Sequence, residues 1–268
     1  MYNSRPWIGL AVDSALEQTV QELEVIVVDD GSTDSGADVV MERATRDPRV
    51  ALLRQENRGP SAARNAGVAE ASAPYVAFLD ADDRWLPEKL ERQLALAREG
   101  VVYADAMIVG DVPDAGTRIS EHQQLFEGLI FDQLTRSNFV AMTTVLAPRE
   151  LLRRYAFNED IRLAEDLDLW LRLAADDVRF SVVREPLAEY RVGPDTPGRD
   201  SVGLNASRVA ILRRLEPLVT GQRRELVRRR LAQERRVLAA ALRRRALHSL
   251  ASLDVRDAAS SALASLRR

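Results

Sequence analysis

Two clusters of aspartate mark this sequence, and each directly follows a short apolar run. Asp29 and Asp30 follow the run LEVIVV, and Asp80, Asp82 and Asp83 follow the run YVAFL. Runs rich in β-branched residues are typical of strands buried on both faces. In an open α/β sheet, ligands bind beyond the carboxyl ends of the strands, so both clusters are expected on the same rim. Carboxylates brought together repel one another unless a cation or a donor-rich ligand lies among them.

The spacing of Asp80 and Asp82 suits a divalent metal ion. Side chains two residues apart point to the same side of an extended segment and can present two oxygens together. The chain has no cysteine and only two histidines, so a hard cation with oxygen ligands, Mg²⁺ or Mn²⁺, is expected. Such an ion would bridge a diphosphate and neutralise the charge that grows on it as it leaves.

The same acidic residues also have a purely structural interpretation. Asp29, Asp30 and Asp34 belong to a residue type that favours turns and helix starts. Asp83 can cap the helix that begins near Pro87. This interpretation suits Asp83 well, but it explains poorly why three acids occur together after the same strand.

The elements that must position these residues alternate between strand and helix, which indicates an α/β sheet that is largely parallel in the first half. Apolar periodicity predicts strands over 23–28, 49–53 and 75–79, and helices over 4–18, up to 46, over 60–70 and from 87. Later in the chain, strands are predicted over 101–103, 140–146, 180–183 and 188–192, a helix over 166–175 and a loop over 193–203.

The end of the chain differs from the rest in composition. Residues 205–268 carry 16 Arg against 5 Asp and Glu, whereas the first 204 residues have a net charge of −14. This stretch is predicted to be helical throughout, with an apolar stripe of Val227, Leu231, Leu238 and Leu242. We therefore expect two parts, a domain over 1–200 and an Arg-rich helical extension over 201–268.

Four segments resemble, in order and in spacing, the successive motifs of family-2 glycosyltransferases. These segments are VIVVDDGSTD at 25–34, ENRGPSAARNAG at 56–67, FLDADDRWLP at 78–87 and LAEDLDLWLRL at 163–173. The resemblance covers roughly residues 1–195. It implies the GT-A fold, a Rossmann-like mixed sheet flanked by helices, here followed by a C-terminal helical extension. It also implies a nucleoside-diphosphate sugar as donor, a UDP-sugar first, and leaves the acceptor unidentified.

The resemblance implies roles for the residues of the first three motifs. Asp30 would accept hydrogen bonds from the nucleotide base or ribose, with Asp29 beside it. Arg64 would approach the nucleotide or its pyrophosphate. Asp80 and Asp82 match the family's DxD motif, with Asp82 as the metal ligand and Asp80, also a candidate ligand, nearer the ribose.

Asp166, in the fourth motif, matches the family's catalytic base. It would take the proton from an acceptor hydroxyl as that oxygen attacks the anomeric carbon, and a single displacement of this kind inverts the anomeric configuration. Without the resemblance Asp166 has a structural interpretation, because a carboxylate in the first turn of a helix is favoured by the helix dipole.

The chain departs from the family pattern at two places. The family's first strand, of the type SVIIPTYN, has no counterpart before Met1-Tyr2-Asn3, and its loss would leave the neighbouring strands without a partner. We expect that the sequence is truncated at its N-terminus; the alternative is a native chain that lacks the strand and is unstable, inactive or completed by a partner. Gly193 stands where the family often has a histidine, which weakens the expectation of metal dependence.

Competing functions remain open at this stage. A non-catalytic, nucleotide-binding remnant would explain the missing strand, and a nucleotidyltransferase would need a Gly-rich N-terminal loop that the sequence lacks. No P-loop motif occurs, and nucleic acid is not an expected partner. No apolar run approaches a membrane span, and the start of the chain lacks a signal peptide pattern, so we expect a cytoplasmic protein. The basic helices are a solvated face or, alternatively, a peripheral contact with the inner face of the membrane.

Overall fold

A computed structural model describes residues 1–98, 100–193 and 201–265 of the chain. These residues form two compact units, Met1–Thr196 and Pro197–Arg268. Most of the loop predicted over 193–203 lies outside the described residues. The domain boundary predicted at residue 200 falls there too, and it stays a prediction.

The first half of unit 1 alternates between helix and strand as predicted. Its elements are α1 (Arg5–Leu16), β1 (Val25–Asp30), α2 (Gly36–Arg46), β2 (Val50–Gln55), α3 (Pro60–Glu70), β3 (Tyr75–Ala77), β4 (Arg84–Trp85) and α4 (Lys89–Leu94). A small core of Ile8, Val12, Val27, Val40 and Val50 joins the first two helices to the first two strands. The apolar periodicity of the sequence thus placed these elements within a few residues, apart from the two-residue strand β4, which was not predicted.

The second half of unit 1 contains two long strands and a buried helix. Its elements are β5 (Val101–Val109), α5 (Ile119–His122), α6 (Phe131–Arg136), β6 (Leu146–Pro148), α7 (Arg149–Tyr155), α8 (Glu165–Ala175) and β7 (Phe180–Arg191). Helix α8 is buried along most of its length, and Leu169, Trp170 and Leu173 have no exposed surface. This packing fixes the start of α8, where Asp166 lies.

The described strands form two sheets. Strands β1 and β2 pair in parallel, from Val25 opposite Val50 to Asp30 opposite Gln55. The second sheet has the order β3-β6-β5-β7-β4 and is mixed, because β5 and β7 pair in parallel while the other neighbours are antiparallel. The predicted mixed sheet flanked by helices is therefore confirmed. Met1 lies beside β1, and its carbonyl accepts a hydrogen bond from the amide of Asp30.

Two predicted strand assignments were wrong. In the segment 140–146, Met142–Thr144 form a turn of 3₁₀-helix and only Leu146 belongs to a strand, β6. The side chains of Trp85 and Gln93 bond its carbonyls at Thr143 and Thr144, so buried polar partners stabilise the turn. The predicted strands over 180–183 and 188–192 are one strand, β7. It continues through Pro186 because the proline sits where the pairing with β5 shifts register, and an absent N–H is tolerated there.

Unit 2 contains α9 (Ser201–Leu215), a 3₁₀ turn (Glu216–Leu218) and α10 (Gly221–Ser265). The predicted apolar stripe is only half right, because Val227 and Leu231 are buried but Leu242 is 49% exposed. A helix rises about 1.5 Å per residue, so 15-residue α9 can cover only about a third of 45-residue α10. Within the described part of the chain, no helix is both long and apolar enough to cross a membrane.

Candidate active site

Asp30 fastens the end of β1 to the loop that leads into α3. Its carboxylate accepts hydrogen bonds from the Gln55 side chain at 2.7 Å and from the amides of Arg58 at 2.9 Å and Gly59 at 2.8 Å. A carboxylate has about four acceptor positions, so roughly one is left for a ligand. Asp30 is buried at the predicted rim, and its role toward a nucleotide stays a prediction.

Asp29 is also buried, and it closes the turn that follows β1. Its Oδ1 accepts a hydrogen bond from the amide of Ser32 at 3.0 Å. This is the local side-chain to backbone bond that aspartate commonly makes in turns. This hydrogen bond supports the structural interpretation of Asp29 as a turn residue. Its role toward a nucleotide stays a prediction.

Arg64 joins three of the four sequence motifs. From α3 its guanidinium donates to Asp80 Oδ1 at 2.9 Å and to Glu165 Oε1 at 2.5 Å. Its side chain is only 17% exposed, and it lies 5.6 Å from the centre of the Phe157 ring. Burial acts to lower the pKa of Arg64, but the charges of Asp80 and Glu165 outweigh it and raise the pKa. The arginine therefore links the acid cluster after β3 to the start of α8.

The acids after β3 differ in exposure. Asp82 is exposed, and its backbone carbonyl accepts a bond from Arg191 Nε at 3.0 Å. Asp83 is buried and accepts a bond from the Arg191 amide at 2.7 Å. The side chain of Asp82 reaches solvent, but the surrounding protein desolvates it in part, and this effect, followed by the charge of Asp80, raises its pKa. Burial, followed by the charge of Asp80, raises the pKa of Asp83 well above its usual range. The negative charge of Asp80 thus acts on both neighbours even with Arg64 present.

The acid cluster fits a divalent cation that brings other ligands with it. No group of three potential ligands is assembled in advance among the residues that the structure describes. Mg²⁺ prefers one or two carboxylates together with phosphate and water oxygens. The side chain of Asp82 reaches solvent, and the charge of Asp80 adds to partial desolvation in raising the pKa of Asp82. Asp82 and Asp80 can supply the one or two carboxylate ligands that such an ion takes from the protein.

Asp166 lies in the first turn of α8, beside Glu165. Its Oδ2 accepts a hydrogen bond from the Asn138 side chain, and its Oδ1 accepts one from the Leu167 amide, each at 2.8 Å. Burial, followed by the charge of Glu165, raises the pKa of Asp166 to about 6. A carboxyl with this pKa is ionised at neutral pH and is a stronger base than an ordinary aspartate, as general base catalysis requires.

Three residues near the acids were not predicted as site residues. Glu165 pairs with Arg64, Asn138 bonds Asp166, and Tyr190 lies close enough to four site carboxylates for their charges to raise its pKa after burial does. Glu165 could have been found from its place in the fourth motif. Asn138 carries no sequence signal, because 28 residues separate it from its partner.

Comparison with known proteins identifies the family. Residues 1–160 match the model of glycosyl transferase family 2. A glycosyltransferase of Rickettsia felis is 33% identical over 210 residues, which cover 76% of this chain and 35% of the relative. TuaG of Bacillus subtilis, named for teichuronic acid biosynthesis, is 33% identical over 192 residues, which cover 71% of this chain and 76% of TuaG. The chain thus spans about a third of the length of the Rickettsia relative.

Two solved structures of similar fold contain a bound nucleotide sugar. S. aureus TarS in complex with UDP-GlcNAc superposes with a TM-score of 0.66 and 22% identity, over 87% of this chain and 69% of TarS. The mannosyltransferase PcManGT from Pyrobaculum calidifontis, in complex with GDP-Man and Mn²⁺, gives a TM-score of 0.63 and 21% identity, over 94% of this chain and 78% of PcManGT. These likenesses show the GT-A fold. This chain belongs to glycosyl transferase family 2 and has the GT-A fold.

Proposed function

We propose that this protein transfers a sugar from a nucleoside-diphosphate sugar to an acceptor hydroxyl with inversion of the anomeric configuration. The observation that carries the proposal is the network around Arg64, which connects Asp80 of the acid cluster to Glu165. Glu165 directly precedes Asp166, whose pKa is raised to about 6. A donor-side acid cluster and a base suited to neutral pH therefore belong to one connected site.

In this proposal Asp166 acts as the general base. As the acceptor oxygen attacks the anomeric carbon, the bond from that carbon to the diphosphate oxygen breaks, and the hydroxyl proton moves to Asp166. The electron pair of the broken bond leaves on the nucleoside diphosphate. Asn138 holds the carboxylate by its Oδ2, and the Leu167 amide holds it by Oδ1, so its orientation is fixed before the acceptor binds.

Asp82 and Asp80 would hold the Mg²⁺ or Mn²⁺ that we propose as cofactor. When bound, the ion supplies positive charge to the diphosphate leaving group. Support comes from the accessible carboxylate of Asp82, two residues from that of Asp80, and from the Mn²⁺ and GDP-Man in the PcManGT structure. Asp29 and Asp30 would lie toward the nucleoside, since both are buried at the end of β1. The positive charge of Arg64 would offset the negative charges of Asp80 and Glu165, which it contacts.

A UDP-sugar is the first donor to test and a GDP-sugar the second, because the TarS and PcManGT structures contain UDP-GlcNAc and GDP-Man. Relatives named for teichuronic acid and succinoglycan biosynthesis support a carbohydrate acceptor in polysaccharide synthesis. We place the reaction in the cytoplasm, with the arginine-rich α10 as a peripheral contact to the membrane.

Titration calorimetry with UDP and GDP, with and without Mn²⁺, tests the donor site. We expect one nucleotide to bind in a metal-dependent way, and Asp82→Ala to weaken that binding by about tenfold or more, because a metal ligand is lost. Asp111→Ala, a change of another exposed aspartate in a loop, is the matched control and should bind like the unmodified chain. A folded protein that binds neither nucleotide would instead support the alternative of a non-catalytic remnant.

A further inference from the structure

Arg191 is the last residue of β7, and it lies beside the acids that follow β3. The antiparallel pairing of β4 with β7 sets Arg84 opposite Glu189, so continuation of the same register sets Asp82 opposite Arg191. The contacts agree with this register. The Arg191 amide donates to Asp83 Oδ1 at 2.7 Å, and its Nε donates to the Asp82 carbonyl at 3.0 Å. Both the backbone and the side chain of Arg191 are therefore tied to the acid cluster.

The indole ring of Trp7 holds the guanidinium of Arg191 from one face. The central carbon of the guanidinium lies over the ring, 3.9 Å from its centroid, which is a cation–π contact. Trp7 belongs to α1 and is 38% exposed, so the pair reaches the surface of the domain. A planar guanidinium that stacks on a ring keeps its N–H groups, which point outward in its own plane, available to acceptors. Trp7 therefore fixes Arg191 without neutralising its charge.

The two arginines beside the acid cluster differ in their partners. Arg64 forms ion pairs with Asp80 and Glu165. Among the residues that the structure describes, the guanidinium of Arg191 bonds a neutral carbonyl and no carboxylate. Its positive charge is therefore available to an anionic ligand. A guanidinium matches phosphate particularly well, because its N–H groups can bond two phosphate oxygens at once.

The topology indicates which part of the donor Arg191 meets. Residues 78–83 cross the end of the five-stranded sheet, because they connect β3 at one edge with β4 at the other. Near the first edge, Asp80 accepts a bond from Arg64 of α3, the helix that packs on β1. Near the second edge, Asp82 and Arg191 lie where β4 meets β7. The aspartates at the end of β1 are proposed to face the nucleoside, so a donor that extends from there along the acid cluster brings its diphosphate to Arg191.

We propose that Arg191 binds the β-phosphate of the donor and that Trp7 positions its guanidinium for this contact. The inference rests on the proposed function, because the phosphate belongs to the nucleotide sugar. As the bond from the anomeric carbon to the β-phosphate oxygen breaks, its electron pair leaves on that phosphate. The charge of Arg191, fixed in place beforehand, offsets the negative charge that develops there.

Titration calorimetry on the full chain with Mn²⁺ tests this contact by comparing UDP with UMP, or GDP with GMP if the chain binds the guanine nucleotide. Arg191→Gln should weaken the diphosphate about tenfold, because a charge-assisted hydrogen bond is lost. The monophosphate lacks the β-phosphate, so its affinity should change by less than about twofold. The matched control Arg92→Gln changes an exposed arginine of α4 and should bind both nucleotides as the unmodified chain does.

A double-mutant cycle tests the role of Trp7. Trp7→Ala should weaken the diphosphate about threefold, because the guanidinium loses the ring that fixes it, and Trp7→Phe should weaken it less. In the Arg191→Gln background, Trp7→Ala should have no further effect, since Trp7 acts through Arg191. Leu10→Ala changes another exposed apolar residue of α1 and is the matched control.

The outcomes separate this inference from the proposed function. It is overturned if Arg191→Gln binds the diphosphate as tightly as the unmodified chain. It is also overturned if diphosphate and monophosphate affinities fall by the same factor, because Arg191 would then only stabilise the end of β7. Equal effects of Trp7→Ala with and without Arg191 would overturn the role of Trp7. If Arg191→Gln does not fold, Arg191→Lys, which lacks the planar fork, replaces it under the same criteria.

The unmodified chain is measured first, with both UDP and GDP. Binding of neither nucleotide would contradict the proposed function, and this inference with it. Binding of one nucleotide, with no selective loss in Arg191→Gln, would leave the proposed function standing and overturn this inference alone.

Discussion

At the scale of single residues, Asn138 controls how strong a base Asp166 is. Its amide donates to Oδ2 at 2.8 Å and thereby favours the ionised carboxylate, against burial and the charge of Glu165. The pKa of about 6 is the balance of these opposing effects. In the proposed mechanism Asn138 is therefore a positioning residue, because it would act on the reaction through Asp166.

Removal of the Asn138 amide should shift the pH dependence of the reaction. In Asn138→Leu the hydrogen bond that lowers the pKa of Asp166 is lost, so the pKa rises above about 6. Activity needs the ionised base. As the pH is lowered, kcat/KM of Asn138→Leu should therefore begin to fall at a higher pH than kcat/KM of the unmodified chain. We expect a decrease of about tenfold near neutral pH and recovery at alkaline pH.

The measurement is the pH profile of kcat/KM for donor turnover. Asn205→Leu, in unit 2, serves as the control for the same chemical change and should keep the original profile. An equal loss of activity at every pH in Asn138→Leu would show that Asn138 has a merely structural role.

The sequence predicted those site residues that lie close together along the chain. The aspartates at 29, 30, 80, 82 and 166 sit in local motifs, and the structure places them at the ends of β1 and β3 and at the start of α8. Asn138 joins the acids only through folding, and no local pattern in the sequence marks it. The contacts of Arg64 were not predicted either, because both partners lie on other elements.

At the scale of elements, α4 contains a lysine that the fold keeps from water. Lys89 is fully buried, its Nζ donates to Gln93 Oε1 at 2.7 Å, and it lies 4.2 Å from the centre of the Trp85 ring. Burial lowers the pKa of Lys89 well below its usual range. At pH values between the folded and the unfolded pKa of Lys89, its amine therefore carries a proton in the unfolded chain but not in the folded chain.

Lys89 should make the protein more stable as the pH rises. Between the lowered folded pKa and the unfolded value of about 10.4, the free energy of unfolding should increase by up to about 1.4 kcal/mol per pH unit from this group. In Lys89→Met that contribution is absent. Urea unfolding of both proteins from about pH 7 to about pH 9 measures the difference, and other titrating groups cancel between them. Parallel stability curves would show that Lys89 keeps its proton in the fold.

The elements that sequence misjudged have specific causes. The segment 140–146 is apolar enough for a strand, but side chains of Trp85 and Gln93 bond its carbonyls and stabilise a turn. In the sequence, Pro186 separates two apolar runs and suggests two strands. In the structure, a register shift in the pairing of β7 with β5 accommodates the proline within one strand. Both causes are tertiary contacts across more than 50 residues, which a local pattern cannot contain.

At the scale of the whole molecule, charge is segregated along the chain. Residues 205–268 carry 16 Arg and 5 acidic residues. In α10, Arg243, Arg244 and Arg245 are all exposed. A basic residue near an anionic bilayer contributes about 1 kcal/mol to binding, so several together give measurable attraction.

We expect the protein to bind vesicles that contain phosphatidylglycerol and to release them at high salt, since salt screens the attraction. Replacement of Arg243, Arg244 and Arg245 by glutamine should weaken binding by tenfold or more. The same replacement of three exposed arginines of unit 1, Arg46, Arg54 and Arg98, is the matched control. Co-sedimentation measures binding, and equal binding to phosphatidylcholine vesicles would contradict an electrostatic contact.

Donor turnover by Asp166→Asn tests the proposed role of Asp166 as the catalytic base of a glycosyl transfer. Release of UDP or GDP from the matching nucleotide sugar is followed for the unmodified chain and the variant, together with nucleotide affinity by calorimetry. Water can serve as the acceptor, so the acceptor need not be known. We expect the turnover of Asp166→Asn to be lower than that of the unmodified chain by about 10²–10⁴-fold, while its nucleotide affinity is unchanged. Turnover by Asp166→Asn at the rate of the unmodified chain would contradict this role.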